Sequence, residues 1–323
     1  MIKKMTFLIV LLILLIACKE EQKPTNIKLQ GSVFGTTYRI TYLSEVNYQE
    51  SIDSLFYLVN KSLSTYMPTS DISKINQGDT TVVVDDMFVE VFEKAKKIHK
   101  ETDGYFDPTI GRLIDAYGFG SGKEKKDLTS EEIAALMENV GFDKVMLKDR
   151  KVYRESPNIE FNVNAFAKGY GVDVIGRFFE SKNIHDYIVE IGGEIRARGT
   201  KCGKLWKVAI EKPNIDGTRS IQKVIELDNE SMATSGNYRK YKINEDGKKI
   251  VHTVNAKTGQ AEESNLLSVS VRLKGDCADV DAYATAFLAM GLEKTKEFLK
   301  EYPELKVVLL YHNDVGELAE FVN

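Results

Sequence analysis

Lys168 is the residue whose position most directly suggests ligand chemistry. It follows Asn164 and Ala165 and falls in the first turn of a helix predicted over 167–179. A cation at a helix N-terminus opposes the helix dipole, so the position is a poor one for stability alone. A bound phosphate would remove the conflict, because the free backbone N–H groups at that end bind anions. We therefore expect a phosphate-bearing ligand beside Lys168.

Asp281 and Thr285 form a second candidate site, on a helix of small residues predicted over 278–290. They are four residues apart, so they share one helix face and offer a carboxylate and a hydroxyl to one ion. A buried carboxylate is costly unless it is paired or metal-bound. A hard cation such as Mg²⁺, shared with substrate phosphates, would satisfy Asp281. The structural alternative is that Asp281 caps a turn near the helix start.

Further patches combine glycines, hydroxyls and rings, and each also has a structural interpretation. Glycines within the strand-like stretch 31–38 indicate a bulge or a close approach of backbone to a planar ligand. In the stretch 63–76, either Ser70 or Asp71 simply caps a turn, or Tyr66, beside a proline turn, presents its ring to an aromatic ligand. The stretch 103–109 is typical of a tight turn and a helix start. His252 proves little by itself, since a lone histidine is usually structural.

Together these patches indicate a phosphate-bearing, partly aromatic ligand and one magnesium site. The glycine spacing matches neither a Walker loop nor a dinucleotide-binding fingerprint. The residues alone therefore predict a nucleotide-handling enzyme with metal-assisted chemistry on a pyrophosphate.

Composition limits the other possibilities. The chain has 323 residues and a net charge of -4, so it lacks the basic surface expected of a nucleic-acid-binding protein. Its four histidines show no clustered spacing with cysteines, which disfavours a zinc site. Beyond Cys18 only Cys202 and Cys277 occur. Separated free thiols are the expectation for this pair, although export would permit a disulfide.

The elements that must position these groups alternate between helical and strand-like patterns. Helical periodicity covers 51–63, 87–101, 130–140, 167–179 and 278–290, and strand patterns include 29–42, 145–161, 187–191, 205–210, 221–227 and 266–273. Strands mixed with long helices predict an α+β fold with mixed or antiparallel sheets, rather than a regular βαβ series.

The N-terminus carries an export pattern. Lys3 and Lys4 precede an apolar run that is too short to span a bilayer. The run ends in Leu-Ile-Ala-Cys18, which resembles the lipobox of bacterial lipoproteins, where fatty acids such as palmitate are attached to the cysteine. We expect a signal peptide at 1–17, a lipidated Cys18 with a polar tether at 18–27, and one domain at 28–323. The alternative is an ordinary signal peptide with an incidental cysteine.

The ordered motifs resemble those of the ApbE family, the FAD:protein FMN transferases. The family's motifs read (M/F)GTxY, a serine–tyrosine segment before SxISxxN, GxFDPT, AxAKGYxxD, GG(D/E)IRxxG, ATSGxYR, HxxxxxTG, and AxATA preceded by aspartate. They correspond in order to residues 34–38, 64–76, 104–109, 165–173, 192–199, 233–239, 252–259 and 281–286. The match runs from about Gly31 to the end of the chain.

The resemblance implies a two-lobed, T-fold-like architecture with FAD in the inter-lobe cleft. It implies Mg²⁺-dependent transfer of FMN from FAD to a threonine or serine hydroxyl of a flavoprotein, with release of AMP. Magnesium would be held by the Ala165 carbonyl, Asp281 and Thr285, and His252 and Asp281 would be catalytic. The residues expected to bind FAD are Phe34, Tyr66, Tyr105, Phe106, Asp107, Asn162, Lys168, Ser235 and His252.

Two departures and two alternatives accompany this resemblance. Family members commonly carry aspartate where this chain has Asn162, and methionine where it has Phe34. With water in place of the protein hydroxyl, the same site would be an FAD pyrophosphatase that yields FMN and AMP. A non-catalytic FAD-binding lipoprotein is the other alternative. With the lipid anchor, we expect the acceptor to be an extracytoplasmic or membrane redox flavoprotein, on the periplasmic side in a Gram-negative cell.

Overall fold

The centre of the molecule is an eight-stranded antiparallel sheet. The computed structural model describes residues 25–120, 127–214, 216, 218–238, 241–244, 247–261 and 263–323. The strand order is β1-β2-β5-β6-β9-β12-β13-β14. These strands are β1 (Thr25–Val33), β2 (Thr36–Ser44), β5 (Tyr187–Ile191), β6 (Glu194–Arg198), β9 (Ser231–Gly236), β12 (Leu266–Leu273), β13 (Lys306–His312) and β14 (Leu318–Val322).

Helices cover one face of this sheet, here called the inner face, because alternate strand residues are apolar and point towards them. In β2, Tyr38, Ile40 and Tyr42 are buried on that side. The helices are α1 (Gln49–Leu63), α2 (Asp71–Asn76), α3 (Asp86–Glu101), α4 (Gly111–Ala116), α5 (Ser130–Met137), α6 (Ala167–Ser181), α7 (Cys277–Met290) and α8 (Leu292–Glu301).

The opposite, outer face is partly covered by a hairpin of β7 (Trp206–Glu211) and β8 (Ile221–Leu227). Val208 and Ile210 of the hairpin share an apolar cluster with Ile195 and Met232 of the sheet. Two further hairpins are formed by β3 (Val145–Lys148) with β4 (Lys151–Arg154), and by β10 (Tyr241–Ile243) with β11 (Lys249–Val251).

A smaller lobe has its own apolar cluster, formed by Leu113, Tyr117, Val254 and Ala261. These residues and the side chains packed against them come from α4 and α5 with their flanking residues, and from β11 with the segment that follows it. The predicted α+β class is confirmed, and the stretch 29–42, predicted as strand, lies within the β1–β2 hairpin.

Two local predictions needed correction. Helix α5 is capped by Thr129, not Ser130, through a capping box with Glu132. Helix α7 begins at Cys277 with Asp276 as its N-cap residue. Asp281 therefore lies in the second turn of α7, and the alternative that it caps the helix start is wrong.

The proposed export segment lies outside the described residues, Cys18 included. Thr25–Ile27, which the sequence assigned to the tether, belong to β1 and pair with the end of β2. In the part of the chain described, no helix has the length and apolar character needed to cross a membrane. Cys202 is exposed and Cys277 is buried, and both are free thiols as expected.

Candidate active site

A cleft of about 390 Å³ lies between the smaller lobe and the inner side of the sheet. The N-terminus of α6, the face of α7 that carries Asp281, and the ends of β6 and β9 form one side. The other side consists of the turn at 105–110, helix α4 and the segment 252–254. The cleft therefore brings together most of the candidate residues predicted from the sequence.

Helices α6 and α7 approach closely at Gly169. A Cβ atom on this residue would lie 2.6 Å from the Cys277 carbonyl oxygen, so only glycine fits without movement of the backbone. At this crossing the Gly169 amide donates a hydrogen bond of 3.1 Å to Oδ2 of Asp281. The first turn of α6 thus already binds one anionic oxygen, as its N-terminus favours.

Lys168 stands between two buried carboxyl groups. Its Nζ lies 3.0 Å from Oε1 of Glu194 and 3.7 Å from Oδ2 of Asp281. Burial lowers the pKa of Lys168, but the two carboxylates outweigh it and hold that pKa above its ordinary value. Burial raises the pKa of the Glu194 carboxyl to about 8, although Lys168 opposes the shift. It also raises the pKa of Asp281. One ammonium group thus faces two carboxyl groups at this point of the cleft.

A pH titration of stability tests this arrangement. Because the folded pKa of Glu194 is raised above its unfolded value of 4.5, the folded state binds more protons between the two values. The stability that this proton contributes is complete below pH 4.5 and is lost as the pH rises through about 8. We therefore expect the urea midpoint of the wild type to fall over this window relative to Glu194→Gln. Parallel midpoints for both proteins from pH 5 to 9 would contradict the assignment.

The three groups expected to hold magnesium meet in the cleft. The Thr285 hydroxyl donates a long hydrogen bond of 3.4 Å to the Ala165 carbonyl oxygen. Ser235 Oγ also lies 3.4 Å from the Thr285 hydroxyl. Asp281 is one turn earlier on the same face of α7. These are hard oxygen donors with weak existing bonds, and Oε2 of nearby Glu194 is buried without a hydrogen-bond partner in the described structure. The residues fit a hard cation.

This donor set contains only one carboxylate. Among the described residues there is no group of three or more His, Cys, Asp or Glu side chains placed to hold a metal ion. The remaining oxygens of a Mg²⁺ ion would then come from waters and substrate phosphates, as is usual for this ion.

The turn at 105–107 lines the other side of the cleft. Tyr105 contacts Lys294 through its hydroxyl, and Phe106 is buried edge-on against Phe166. Asp107 accepts hydrogen bonds from the backbone of Thr109 and Phe142, so it closes the turn as well as facing the cleft. Burial raises its pKa, with the Thr109 bonds acting in the opposite direction.

Four more of the expected FAD-binding residues also line the cleft: Tyr66, Asn162, Ser235 and His252. The Tyr66 ring is 63% exposed, so it is open to a stacking partner. The side-chain oxygen of Asn162 accepts a hydrogen bond of 2.9 Å from the backbone N–H of Asn164. His252 directly follows β11, and its ring lies edge-on to Phe119 at 6.3 Å between centroids.

Phe34 is not among the residues that line the cleft. It occupies the β1–β2 turn with φ of 50°, and its ring meets Phe56 edge-on at 5.6 Å. The ring also covers Gly171 of α6, where a Cβ atom would lie 2.4 Å from it. The structure thus accounts for Phe34 through packing, and its contact with adenine stays a prediction.

Sequence reasoning missed Glu194 as a site residue, although the Gly-Gly-Glu turn was noted. The signal that could have found Glu194 is the alternation of side chains between the two faces of a strand. Glu194 and Arg196 both fall on the inner face of β6, where apolar residues are expected. Asn237, which does not line the cleft, also has a buried Oδ1 without a hydrogen-bond partner in the described structure. Buried carboxyls and amides of this kind are the ones that need an explanation.

Behind the cleft, Arg196 ties three elements together. Its guanidinium contacts Asp173 of α6 at 2.7 Å, the α7 N-cap Asp276 at 2.9 Å and Glu180 at 3.0 Å. Asp173 in turn accepts the backbone N–H groups of Cys277 and Ala278, each at 2.8 Å. This network fixes the start of α7 against α6 and β6, and so sets the position of Asp281 relative to Lys168.

Comparison with known proteins finds relatives of this chain in one family. The ApbE family model matches residues 34–309. An FAD:protein FMN transferase of Haemophilus influenzae is 35% identical, over 94% of this chain and 90% of its own length. The one from Vibrio cholerae is 33% identical, over 94% and 92%.

Solved structures show the same similarity. The flavin transferase ApbE from Vibrio cholerae superposes with a TM-score of 0.82 at 30% identity, covering 93% of this chain and 97% of that one. The apo flavinyl transferase ApbE from Pseudomonas stutzeri gives 0.83 at 25% identity, covering 94% and 96%. With a family match over most of its length and these relatives, the chain belongs to the ApbE family.

Proposed function

We propose that this protein transfers the FMN moiety of FAD to a threonine or serine hydroxyl of a flavoprotein and releases AMP. The observation that carries the proposal is the crossing of α6 and α7, where Lys168, Asp281 and Thr285 converge in a cleft. The names of the relatives, FAD:protein FMN transferases, support the same reaction.

The chain's own residues prepare the pyrophosphate for displacement. Lys168 and the N-terminus of α6 attract its negative charge and hold the FMN-side phosphorus in place. The acceptor hydroxyl attacks that phosphorus in line and forms a phosphoester, while the bond to the AMP oxygen breaks and AMP leaves. The hydroxyl proton passes to a base in the cleft, for which His252 is the candidate.

Magnesium is the cation we propose for Ala165, Asp281 and Thr285. When bound, it would act as a Lewis acid on the pyrophosphate and offset the charge of the leaving AMP. The hard oxygen donors of these residues, and the long 3.4 Å bond that the Thr285 hydroxyl makes to the Ala165 carbonyl, support a divalent cation here.

Mass measurement distinguishes transfer from its alternatives. The protein is incubated with FAD, Mg²⁺ and a candidate acceptor domain, and all products are weighed. An acceptor heavier by one FMN supports the transferase, free FMN with AMP supports a pyrophosphatase, and unchanged FAD supports simple binding. The last two outcomes would each overturn the proposal.

His252→Gln is expected to slow FMN transfer about 100-fold, since a positioned general base contributes at least that much. Glutamine keeps a hydrogen-bonding side chain but does not accept the proton. His312→Gln, in β13, is the control. An undiminished transfer rate in His252→Gln would remove this histidine from the reaction.

We also propose that Cys18 anchors the enzyme by lipid on the extracytoplasmic face of a bacterial membrane. The apolar run that ends at a small residue before Cys18 supports this location, and Lys19 in place of aspartate disfavours retention in the inner membrane of a Gram-negative cell. Its acceptors would then be exported or membrane-bound redox flavoproteins. In a detergent phase separation, the wild type should enter the detergent phase and Cys18→Ser the aqueous phase. A Cys18→Ser protein that still enters the detergent phase would refute the anchor.

A further inference from the structure

A second and larger cavity, here called the outer groove, lies on the outer face of the sheet. Its volume is about 690 Å³. The floor consists of outward residues of β2, β5, β6 and β9, and the β7–β8 hairpin forms a wall. Arg39 and Arg219 of the groove are exposed, whereas the carboxyl groups of Glu194 and Asp281 in the cleft are buried. This exposure fits a docking surface better than a second reaction centre.

The outer groove and the cleft adjoin each other. Gly192, Thr234 and Gly236 line both. Gly192 and Gly193 form the turn between β5 and β6, and neither has a side chain to block the passage. A Cβ atom on Gly193 would meet nothing within 4 Å. A chain lying on the outer face can therefore reach the cleft over this low turn.

The outer groove offers more room than the cleft. At about 390 Å³ the cleft has little more than half of the groove's volume of about 690 Å³. From β2 to β9 the groove spans three strand spacings, about 14 Å. An extended segment of about ten residues covers that distance and continues into the cleft.

Four charged side chains line the groove, and the guanidinium groups of Arg39 and Arg219 are much more exposed than the carboxylates of Glu190 and Glu211. Arg39 and Arg219 are 71% and 70% exposed, and their nearest carboxylates, on Glu190 and Glu211, lie at a long 3.7 and 3.8 Å. Glu190 also accepts the Gly193 amide at 3.1 Å, so it does not depend on Arg39. Exposed ion pairs contribute at most about 1 kcal/mol, so both guanidinium groups can exchange partners.

We infer that the outer groove binds the acceptor protein through an extended, acidic segment that carries the hydroxyl to be modified. Carboxylates flanking that hydroxyl pair with Arg39 and Arg219, and the hydroxyl passes the Gly192–Gly193 turn into the cleft. This inference rests on the proposed function, because it assigns the second substrate of the same site.

The test uses labelled peptides of about ten residues, with one threonine between aspartates or between lysines. Binding to the FAD-loaded protein is read by fluorescence polarisation, and FMN attachment by mass. We expect Arg39→Glu combined with Arg219→Glu to weaken binding of the acidic peptide more than tenfold, with the affinity for FAD unchanged. In the wild type this binding should weaken as the salt concentration rises, because salt screens the attraction between the exposed arginines and the peptide carboxylates.

The matched control is Lys207→Glu combined with Lys274→Glu. Both lysines are exposed, both form surface ion pairs, and neither lines the outer groove. The net charge changes by the same amount, so a general effect of acidity would appear in both double variants. Equal weakening in the two, or no preference of the wild type for the acidic peptide, would overturn the inference.

Two further outcomes are distinct. If the groove variant alone changes the oligomeric state, a second copy of this chain occupies the groove and the inference is wrong. If the acidic peptide binds as expected but FAD is only hydrolysed, the docking site stands and the transferase proposal fails.

Discussion

Asp281→Asn is expected to lower the rate of FMN transfer about 1000-fold while leaving the protein folded. A Lewis-acid metal supplies several kcal/mol to the transition state, and each 1.36 kcal/mol is a factor of ten in rate. Asp281 is the only carboxylate of the proposed metal set, so its loss removes the ligand that carries charge. Initial rates with FAD, Mg²⁺ and a saturating acceptor measure the effect.

Stability separates this effect from unfolding. The Asp281 carboxyl is buried and its pKa is raised, so its burial is already costly. Asparagine has nearly the same volume, and Lys168 retains Glu194 at 3.0 Å. We expect a thermal midpoint close to that of the wild type in metal-free buffer. Added Mg²⁺ with FAD should raise the midpoint of the wild type but not that of the variant.

Asp279→Asn is the matched control, because it makes the same change on the same helix. Asp279 lies two residues earlier, where its carboxylate pairs with Lys94 at 2.9 Å, away from the cleft. Its transfer rate should stay near the wild-type value. An undiminished rate in Asp281→Asn, or an equal loss in both variants, would remove Asp281 from the metal site.

What the sequence predicted well depends on spacing within a single element. Asp281 and Thr285 are four residues apart on one helix, so their common face follows from helix geometry alone. The position of Lys168 in the first turn of α6 is local in the same sense. The strand pattern of 29–42, which lies within the β1–β2 hairpin, is local in the same way.

What could not be predicted depends on which elements meet. Glu194 faces Lys168 only because β6 pairs with β5 in a register that turns it inward. The outer groove exists because the β7–β8 hairpin folds over the sheet, and its strand patterns do not specify that partner. Phe34 belongs to a motif of the family, yet in this structure its ring packs on Phe56 and Gly171.

The network behind the cleft is the clearest case of a long-range contact. Arg196 and Asp276 are 80 residues apart in sequence, and Arg196 and Asp173 are 23 apart. The sequence showed a charged pair after a double glycine and gave no indication of these partners. The site therefore depends on charges whose pairing only the folded chain reveals.

Arg196→Met is expected to reduce the free energy of unfolding by about 3–5 kcal/mol, because it leaves the partner of a buried ion pair uncompensated. Asp173 is fully buried, and its remaining hydrogen bonds come from two backbone N–H groups of α7. Asp276 keeps Lys94 and Arg177 at 2.8 and 2.7 Å, so Asp173 carries most of the loss. Urea unfolding at constant pH measures the change.

The pH dependence of that loss identifies its cause. Burial, together with the nearby Asp276, raises the pKa of Asp173 to about 6 even with Arg196 present, and removing the guanidinium raises it further. A raised carboxyl pKa contributes stability at low pH that is lost as the pH rises through the folded value. The gap between wild type and Arg196→Met should therefore widen from pH 4 to 8. A gap that is constant with pH would indicate lost packing instead.

Arg198→Met, two residues along the same strand, provides the control for removing a guanidinium from β6. Arg198 donates to the backbone carbonyls of Ala197 and Gly275 and leaves no fully buried carboxylate behind. We expect it to cost about 1–2 kcal/mol, with little pH dependence. Adding Asp173→Asn to Arg196→Met should recover part of the lost stability, since the stranded charge is then absent. If the double variant were no more stable than Arg196→Met, Asp173 would not be the group that Arg196 neutralises, and the position of α7 would have to depend on other contacts.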